Sequence, residues 1–436
     1  MEESGGRVFR PGRIHPQPTV PPTLAMSPGI LRYLQQHKLP TAMLAMKRAF
    51  RKTLTEWDAR MLREHVATLG AKWPVRGRVL LSYRIEAFVL PPEDPLLARH
   101  TNFWQSAEMA ATLAELGYDV DVIDYRNTSF VPEKKYDICI DVRDNLERLA
   151  PVLGPSCLKV FHIDTAHLLV HNARESARLA SVLRRRGVVL PPATWQKPNR
   201  GIEVADVATG NTGEFAMSTF RYAGKVIHPV PAPIARDFEW TCDKDWFSAR
   251  RRFVWFGSNG LVHKGLDLVL EAFAGMPDRH LVVCGPSDRE PDFVNAYHKE
   301  LYETPNIETV GWIDAGGARF REIARSCGAV VFPSCSEGLS TSTLECMHAG
   351  LIPVVTRETG VPTEPFGVRI PALTVDAVRG AVRAVADLSP EQLRHFSALA
   401  WEHARENHTR ARFSEVYRGI MAGIVNAPRA EKQLVC

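Results

Sequence analysis

The residues with the most chemical promise lie in one segment, Pro333-Ser334-Cys335-Ser336-Glu337-Gly338-Leu339-Ser340-Thr341-Ser342-Thr343-Leu344-Glu345, which reads as a strand end, a small polar loop and a helix start. It carries two glutamates eight residues apart. N–H groups at a helix start lack partners and sit at the positive end of the helix dipole, so Ser340, Thr341 and Ser342 offer a seat for a diphosphate. Carboxylates accept bonds from hydroxyls, and Glu337 in the loop and Glu345 in the helix can face different parts of one elongated ligand. A purely structural reading stands beside this one: Ser342 caps the helix and Glu345, three residues on, closes a capping box.

A second strand-to-helix loop, Gly257-Ser258-Asn259-Gly260-Leu261-Val262-His263-Lys264-Gly265, combines glycines that let backbone approach a phosphate with Lys264, a cation suited to a departing diphosphate. A solvated loop is the competing explanation, and no Walker pattern is present. Earlier in the chain, Val160-Phe161-His162-Ile163-Asp164-Thr165-Ala166-His167 ends a strand with His162, Asp164 and His167 toward the expected cleft. His100-Thr101-Asn102 precedes a helix and can line the acceptor side, with Thr101 or Asn102 as a simple N-cap the competing reading. The run Arg184-Arg185-Arg186 before Gly187 reads as charge complementing a helix C-terminus, with contact to an anionic acceptor as the alternative.

The elements that must position these groups follow a βαβ rhythm. Short apolar runs at 79–82, 120–123, 136–140, 159–163 and 206–208 alternate with helical stretches, and a second series runs from Phe253 to Val355. Both imply parallel sheets covered on two faces, with ligands beyond the carboxyl ends of the strands and a cleft between the halves. The expected fold is α/β: two Rossmann-like domains facing each other, 77–235 for an acceptor and 236–405 for a donor, split near the Pro-rich linker Pro229–Pro233. Residues 1–28, rich in proline, read as a disordered tail, 29–76 as a helical extension, and 406–436 as a helix crossing back plus a tail.

With 436 residues, 45% hydrophobic, the chain can fill two such domains, and a net charge of +5 is too small for a nucleic-acid-coating surface. Its 8 cysteines stand singly, without CxxC pairs or metal-ligand spacing, which fits a reducing, cytoplasmic setting and no bound metal. Nothing reads as a leader or a membrane span. The basic amphipathic stretch within residues 30–70 can rest on an anionic membrane surface or pack on the first domain with its charges in water.

Taken in order, the Gly257-Ser258…Lys264-Gly265 loop, the Val282-Val283-Cys284-Gly285 strand, Val310-Gly311-Trp312 and the Glu337…Glu345 segment resemble retaining glycosyltransferases of the family-4 type with the GT-B fold. The resemblance is close over about residues 250 to 360 and extends to the first domain only in texture. It implies that Glu337 faces the donor hexose and Glu345 the ribose, that Lys264 clamps the diphosphate, that Gly311 and Trp312 lie near the base, and that His162 meets the reacting sugar. Gly257, Ser258, Asn259, Gly338, Leu339, Ser340, Thr341 and Ser342 complete the expected donor site. The family's arginine after the first loop's glycine is Ser258 here, so half of the phosphate clamp must come from elsewhere, with His263 and Arg252 as candidates.

The expected activity is hexosyl transfer, with retention, from a nucleoside diphosphate sugar to a glycan or glycolipid hydroxyl, without cofactor or metal. The resemblance suggests polysaccharide or glycoconjugate assembly as its setting. A sugar-nucleotide epimerase or hydrolase using His162 and Asp164, and a silent nucleotide-sugar or glycan binder, are the alternatives.

Overall fold

The computed structural model describes residues 63–426 except positions 73, 92, 93, 95, 96, 98–100, 212, 235, 237, 241 and 242. The expected tail and most of the expected helical extension lie outside the described residues. Runs such as Val79-Leu80-Leu81 and Val330-Val331-Phe332 are buried throughout, as strands covered by helices on both faces must be. They build two sheets. The first contains β1 (Val66–Leu69), β2 (Gly77–Tyr83), β3 (Tyr118–Asp124), β4 (Ile138–Asp141), β5 (Leu158–Ile163), β6 (Val207–Gly210) and β7 (Ile227–Pro229), in the order β1-β3-β2-β4-β5-β6-β7.

The second contains β8 (Arg252–Phe256), β9 (His280–Cys284), β10 (Ile307–Thr309), β11 (Ala329–Phe332), β12 (Ile352–Thr356) and β13 (Val368–Ile370), in the order β10-β9-β8-β11-β12-β13, parallel throughout. This is the doubly wound order, and it reverses between β8 and β11.

One sequence expectation changes at the start of the described chain. Residues 66–69 lie in the segment read as helical, yet they form β1, antiparallel to β3. Their burial alternates with period two, and Thr68 Oγ1 donates to Asp121 Oδ1 at 2.7 Å. Pairing with the open edge of β3 outweighs local helical spacing.

The longer helices are α1 (Thr101–Glu115), α2 (Leu146–Leu153), α3 (Leu168–Arg186), α4 (Leu266–Ala274), α5 (Ala318–Ser326), α6 (Thr341–His348), α7 (Val375–Ala386), α8 (Pro390–Asn407) and α9 (Arg410–Asn426). The last of these returns to the first sheet: Phe413, Tyr417 and Met421, one turn apart, are buried in that sheet's core, with Phe413 edge-on to Trp104 at 5.6 Å.

Helix α3 works differently. It follows β5 of the first sheet, but the stripe it buries is His171, Glu175, Arg178 and Val182, mostly polar, and Val182 belongs to the second sheet's core. Arg178 and Arg185 both meet the fully buried Asp267 of α4 at 2.5 Å, and Arg186 reaches Glu300 at 2.5 Å and Glu271 at 3.3 Å. The Arg184–Arg186 run does fill the last turn of α3 before the Gly187 cap, as the helix-end reading has it, and two of its members are also internal partners that tie one half to the other, which leaves them unavailable to an acceptor. Buried charges survive only when paired in this way.

Candidate functional site

The order reversal in the second sheet brings the carboxyl ends of β8 and β11 side by side, and both candidate loops spring from them. Gly265 holds the loops together. Its φ is +73°, and a Cβ there would lie 2.3 Å from the carbonyl oxygen of Pro333. No other residue allows this approach. The result is an ion pair: Lys264 Nζ donates to Glu337 Oε1 at 2.8 Å, with both side chains largely buried. Ser334 Oγ donates to the same oxygen at 2.8 Å. Burial pushes the Glu337 carboxyl up, but the Lys264 charge and these hydrogen bonds outweigh it and hold the group below the usual glutamate range.

The start of α6 is organised by Ser340. Its Oγ accepts from the N–H of Thr343 at 3.4 Å, while its own N–H donates to the Thr359 carbonyl at 2.9 Å. The cap is therefore Ser340, two residues before the Ser342 of the capping-box reading, and Glu345 closes no box. Instead Glu345 lies in the second turn and lines a cleft with Thr341 and Ser342. Burial raises its carboxyl pKa to about 7, which Arg236 opposes and Asp314 reinforces.

That cleft, about 180 Å³ in volume, gathers Gly257, Ser258, Lys264, Trp312, Glu337, Leu339, Ser340, Thr341, Ser342 and Glu345 of the sequence-derived set. Four members of the set stand outside its lining, His162 among them. Asn259 borders a neighbouring cavity, Gly311 forms a left-handed turn with φ +83°, and Gly338 packs against the first half. A Cβ on Gly338 would come within 2.3 Å of the Asp164 carbonyl oxygen, and its own carbonyl accepts from Gly213 N–H at 2.9 Å.

His162 stands apart from the cleft lining altogether. It is fully buried, with Nδ1 2.8 Å from Thr209 Oγ1 and Nε2 2.6 Å from Asn211 Oδ1 and 3.0 Å from Gln105 Nε2. Burial lowers its pKa to about 4, so the ring is neutral and both nitrogens are engaged. Its surroundings make it a hub for first-sheet loops rather than a group facing the cleft. Asp164 is held by Arg143 at 2.8 Å. The two stand-ins for the missing clamp arginine also fall away. Arg252 begins β8, at the strand end opposite the cleft, and both His263 nitrogens are taken by Thr194, Cys335 and Ser336.

The lining adds Arg236 and Asp314, which sequence reasoning missed, and includes Thr101, which it offered as an acceptor-side residue. Arg236, from the linker between the sheets, pairs with Asp314 at 3.2 Å and is the cleft's other lining cation beside Lys264 among the described residues. Thr101, first residue of α1, brings the first half into the same cleft. Its place before a helix was the available signal; Arg236 and Asp314 carried none. As for metals, His171, Glu175 and His263 have ligand atoms within 4.8 Å of one another. The Thr194 hydroxyl lies among them, 2.9 Å from Glu175 Oε2, 3.0 Å from His263 Nδ1 and 3.2 Å from His171 Nε2, and takes the position a shared cation would need.

Residues 250–387 match the family described as glycosyl transferases group 1. No curated protein matches the chain by sequence. Among solved structures, the Anabaena protein HepE in complex with UDP and glucose is similar at 12% identity and TM-score 0.50, over 81% of this chain and 100% of that one. Sucrose-phosphate synthase from Thermosynechococcus elongatus matches at 15% identity and TM-score 0.51, over 80% and 100%. A UDP-forming trehalose-phosphate synthase from Burkholderia xenovorans matches at 11% identity and TM-score 0.53, over 81% and 100%. At such identities the likeness speaks for architecture: a two-domain GT-B fold, with a glycosyl transferases group 1 region in its second half.

Proposed function

We propose that this protein transfers a hexosyl unit from a nucleoside diphosphate sugar to an acceptor hydroxyl with retention of configuration. The observation that carries the reading is the Lys264–Glu337 pair set beside the capped start of α6, with Glu345 one turn further along the same cleft. On this reading the diphosphate rests against the N–H groups of Thr341 and Ser342, and Lys264 meets the charge that builds on it as the glycosidic bond breaks. Glu337 orients the hexose, Glu345 accepts from the ribose, and Trp312, 52% exposed, offers its ring to the base. Glu337 is committed to Lys264 and Ser334, so a covalent sugar–enzyme intermediate is not part of the scheme. The acceptor attacks on the face the phosphate leaves, and the departing phosphate takes its proton.

The epimerase or hydrolase alternative loses support, because His162 and Asp164, its acid–base pair, do not line the cleft. A glycan or glycolipid acceptor and a role in polysaccharide or glycoconjugate assembly belong to the same proposal. So do independence of metal and a cytoplasmic setting, with peripheral membrane contact through residues 30–70. Residues up to 62 of that segment lie outside the described ones, and no described helix is long and apolar enough to cross a membrane.

A thermal-shift panel of nucleotides and sugar nucleotides, followed by incubation with the labelled donor that binds, tests the reading. UDP-glucose heads the panel, since the similar Anabaena structure holds UDP and glucose. Transfer to an acceptor supports it. Free sugar, an epimer, or binding without product would each sink it in favour of hydrolysis, epimerisation or a silent binder.

A further inference from the structure

Beside the cleft, outside its lining, a buried cluster joins the two halves. His171 and Glu175, one turn apart on α3, face His263 of the loop after β8, and the two histidine rings lie 4.6 Å apart. Thr194, on the segment that follows α3, bonds to all three through its hydroxyl, and its methyl group presses on Gly260 of that same loop. Glu175 Oε1 is taken by the N–H groups of Ala193 and Thr194 at 2.9 and 3.1 Å. Glu175 thereby holds Thr194 in place.

The proton order follows from the acceptors. The Ser336 carbonyl only accepts, so His263 donates to it from Nε2, at 2.5 Å. Burial holds the ring's pKa below the ordinary histidine value. In the neutral ring Nδ1 is then an acceptor; the single Thr194 hydroxyl proton is shared between the Glu175 carboxylate at 2.9 Å and this nitrogen at 3.0 Å, and the Cys335 thiol at 3.5 Å is a weak further donor. His263 directly precedes Lys264, and Ser336 directly precedes Glu337. Cys335 N–H to the His263 carbonyl at 2.9 Å links the loops, Lys264 N–H to the Gly260 carbonyl at 2.8 Å and Glu337 N–H to the Glu358 carbonyl at 3.0 Å anchor each loop, and the ring joins the residues that directly precede the pair.

We infer that Thr194 is a positioning residue: through the locked His263 ring it sets the separation of Lys264 and Glu337, so a residue of the α3 arm governs the reacting pair of the other half. This deepens the proposed sugar transfer and rests on it. Thr194→Val keeps the shape and removes the hydroxyl, and Thr194→Ser restores the hydroxyl. In a crystal structure of the Val variant the Lys264–Glu337 contact of 2.8 Å is expected to open beyond hydrogen-bond reach. With UDP-glucose, kcat is expected to fall roughly tenfold to a hundredfold, the scale of a small misplacement at a reacting centre. KM and UDP affinity stay close to wild type, the melting temperature falls modestly as the buried partners of the hydroxyl lose a bond, and the Ser variant recovers turnover.

An unchanged contact overturns the inference. So does a Val variant that loses UDP affinity along with kcat, or a Ser variant that fails equally, since each makes Thr194 merely structural. If the wild-type protein transfers no sugar, the functional reading fails by itself, and the Lys264–Glu337 separation in the Val variant still decides the positioning claim.

Discussion

Replacing Glu345 with glutamine separates a ligand-binding carboxylate from a helix-stabilising one by measurement. In the folded protein burial lifts this carboxyl from its ordinary 4.5 to about 7. At about 1.4 kcal/mol per pH unit, keeping it ionised costs the fold at most about 3 kcal/mol above pH 7. Because the folded chain binds the proton more tightly than the unfolded one, stability is full below pH 4.5 and falls as pH rises through about 7. Glu345→Gln removes that loss, and since Ser340 rather than Ser342 caps α6, no cap is sacrificed. The variant should therefore melt above wild type at pH 8 and level with it near pH 4.5.

Nucleotide affinity should move the other way. A hydrogen bond to a charged acceptor contributes about 1.5–3 kcal/mol, so loss of the carboxylate should weaken UDP binding about tenfold to a hundredfold at pH 8. At pH 6, where Glu345 is mostly protonated, the difference should shrink, and the diphosphate's own titration cancels between the two proteins. Calorimetric titration with UDP and scanning calorimetry on the same samples give both quantities. A UDP affinity ratio within twofold at pH 8, or one independent of pH, refutes the ribose contact.

Lys264→Ala and Glu337→Gln should each lower transfer at least a hundredfold while the proteins remain folded by circular dichroism, because each removes a group acting on the reacting donor; near-wild-type turnover removes that residue from the mechanism. Transfer should survive EDTA, whereas loss on chelation with recovery on adding a divalent ion would overturn the metal-independent scheme. Asp267→Ala should cost about 3–5 kcal/mol in urea unfolding by stranding the buried Arg178, and Arg178→Met should cost less because Arg185 still pairs with Asp267; equal, small effects would refute the clamp. Deletion through residue 70 removes β1 and bares the edge of β3, so soluble yield should fall relative to deletion through residue 28, and equal yields would show that the edge needs no cover.

The two sheets and both cleft loops were legible in the chain itself, because burial on both faces selects short apolar runs and because glycines must stand where backbones meet, as at Gly265 and Gly338. The four consecutive hydroxyl residues Ser340–Thr343 offered several possible caps, and local sequence has no means to choose among them. Ser340 prevails because its N–H is tied to Thr359, a contact made only once β12 lies beside β11. Helix α3 shows the same limit more sharply. An apolar stripe announces a buried helix face, whereas His171, Glu175 and Arg178 are buried polar groups whose partners lie elsewhere in the chain: Asp267, for instance, is 89 residues beyond Arg178. His162 was placed correctly at its strand end, but whether its ring met ligand or protein depended on Gln105, Thr209 and Asn211. Periodicity and loop chemistry are local and survive in the sequence. The neighbours that turn a histidine inward, or bring Arg236 into the cleft, are long-range contacts that exist only after the chain has folded.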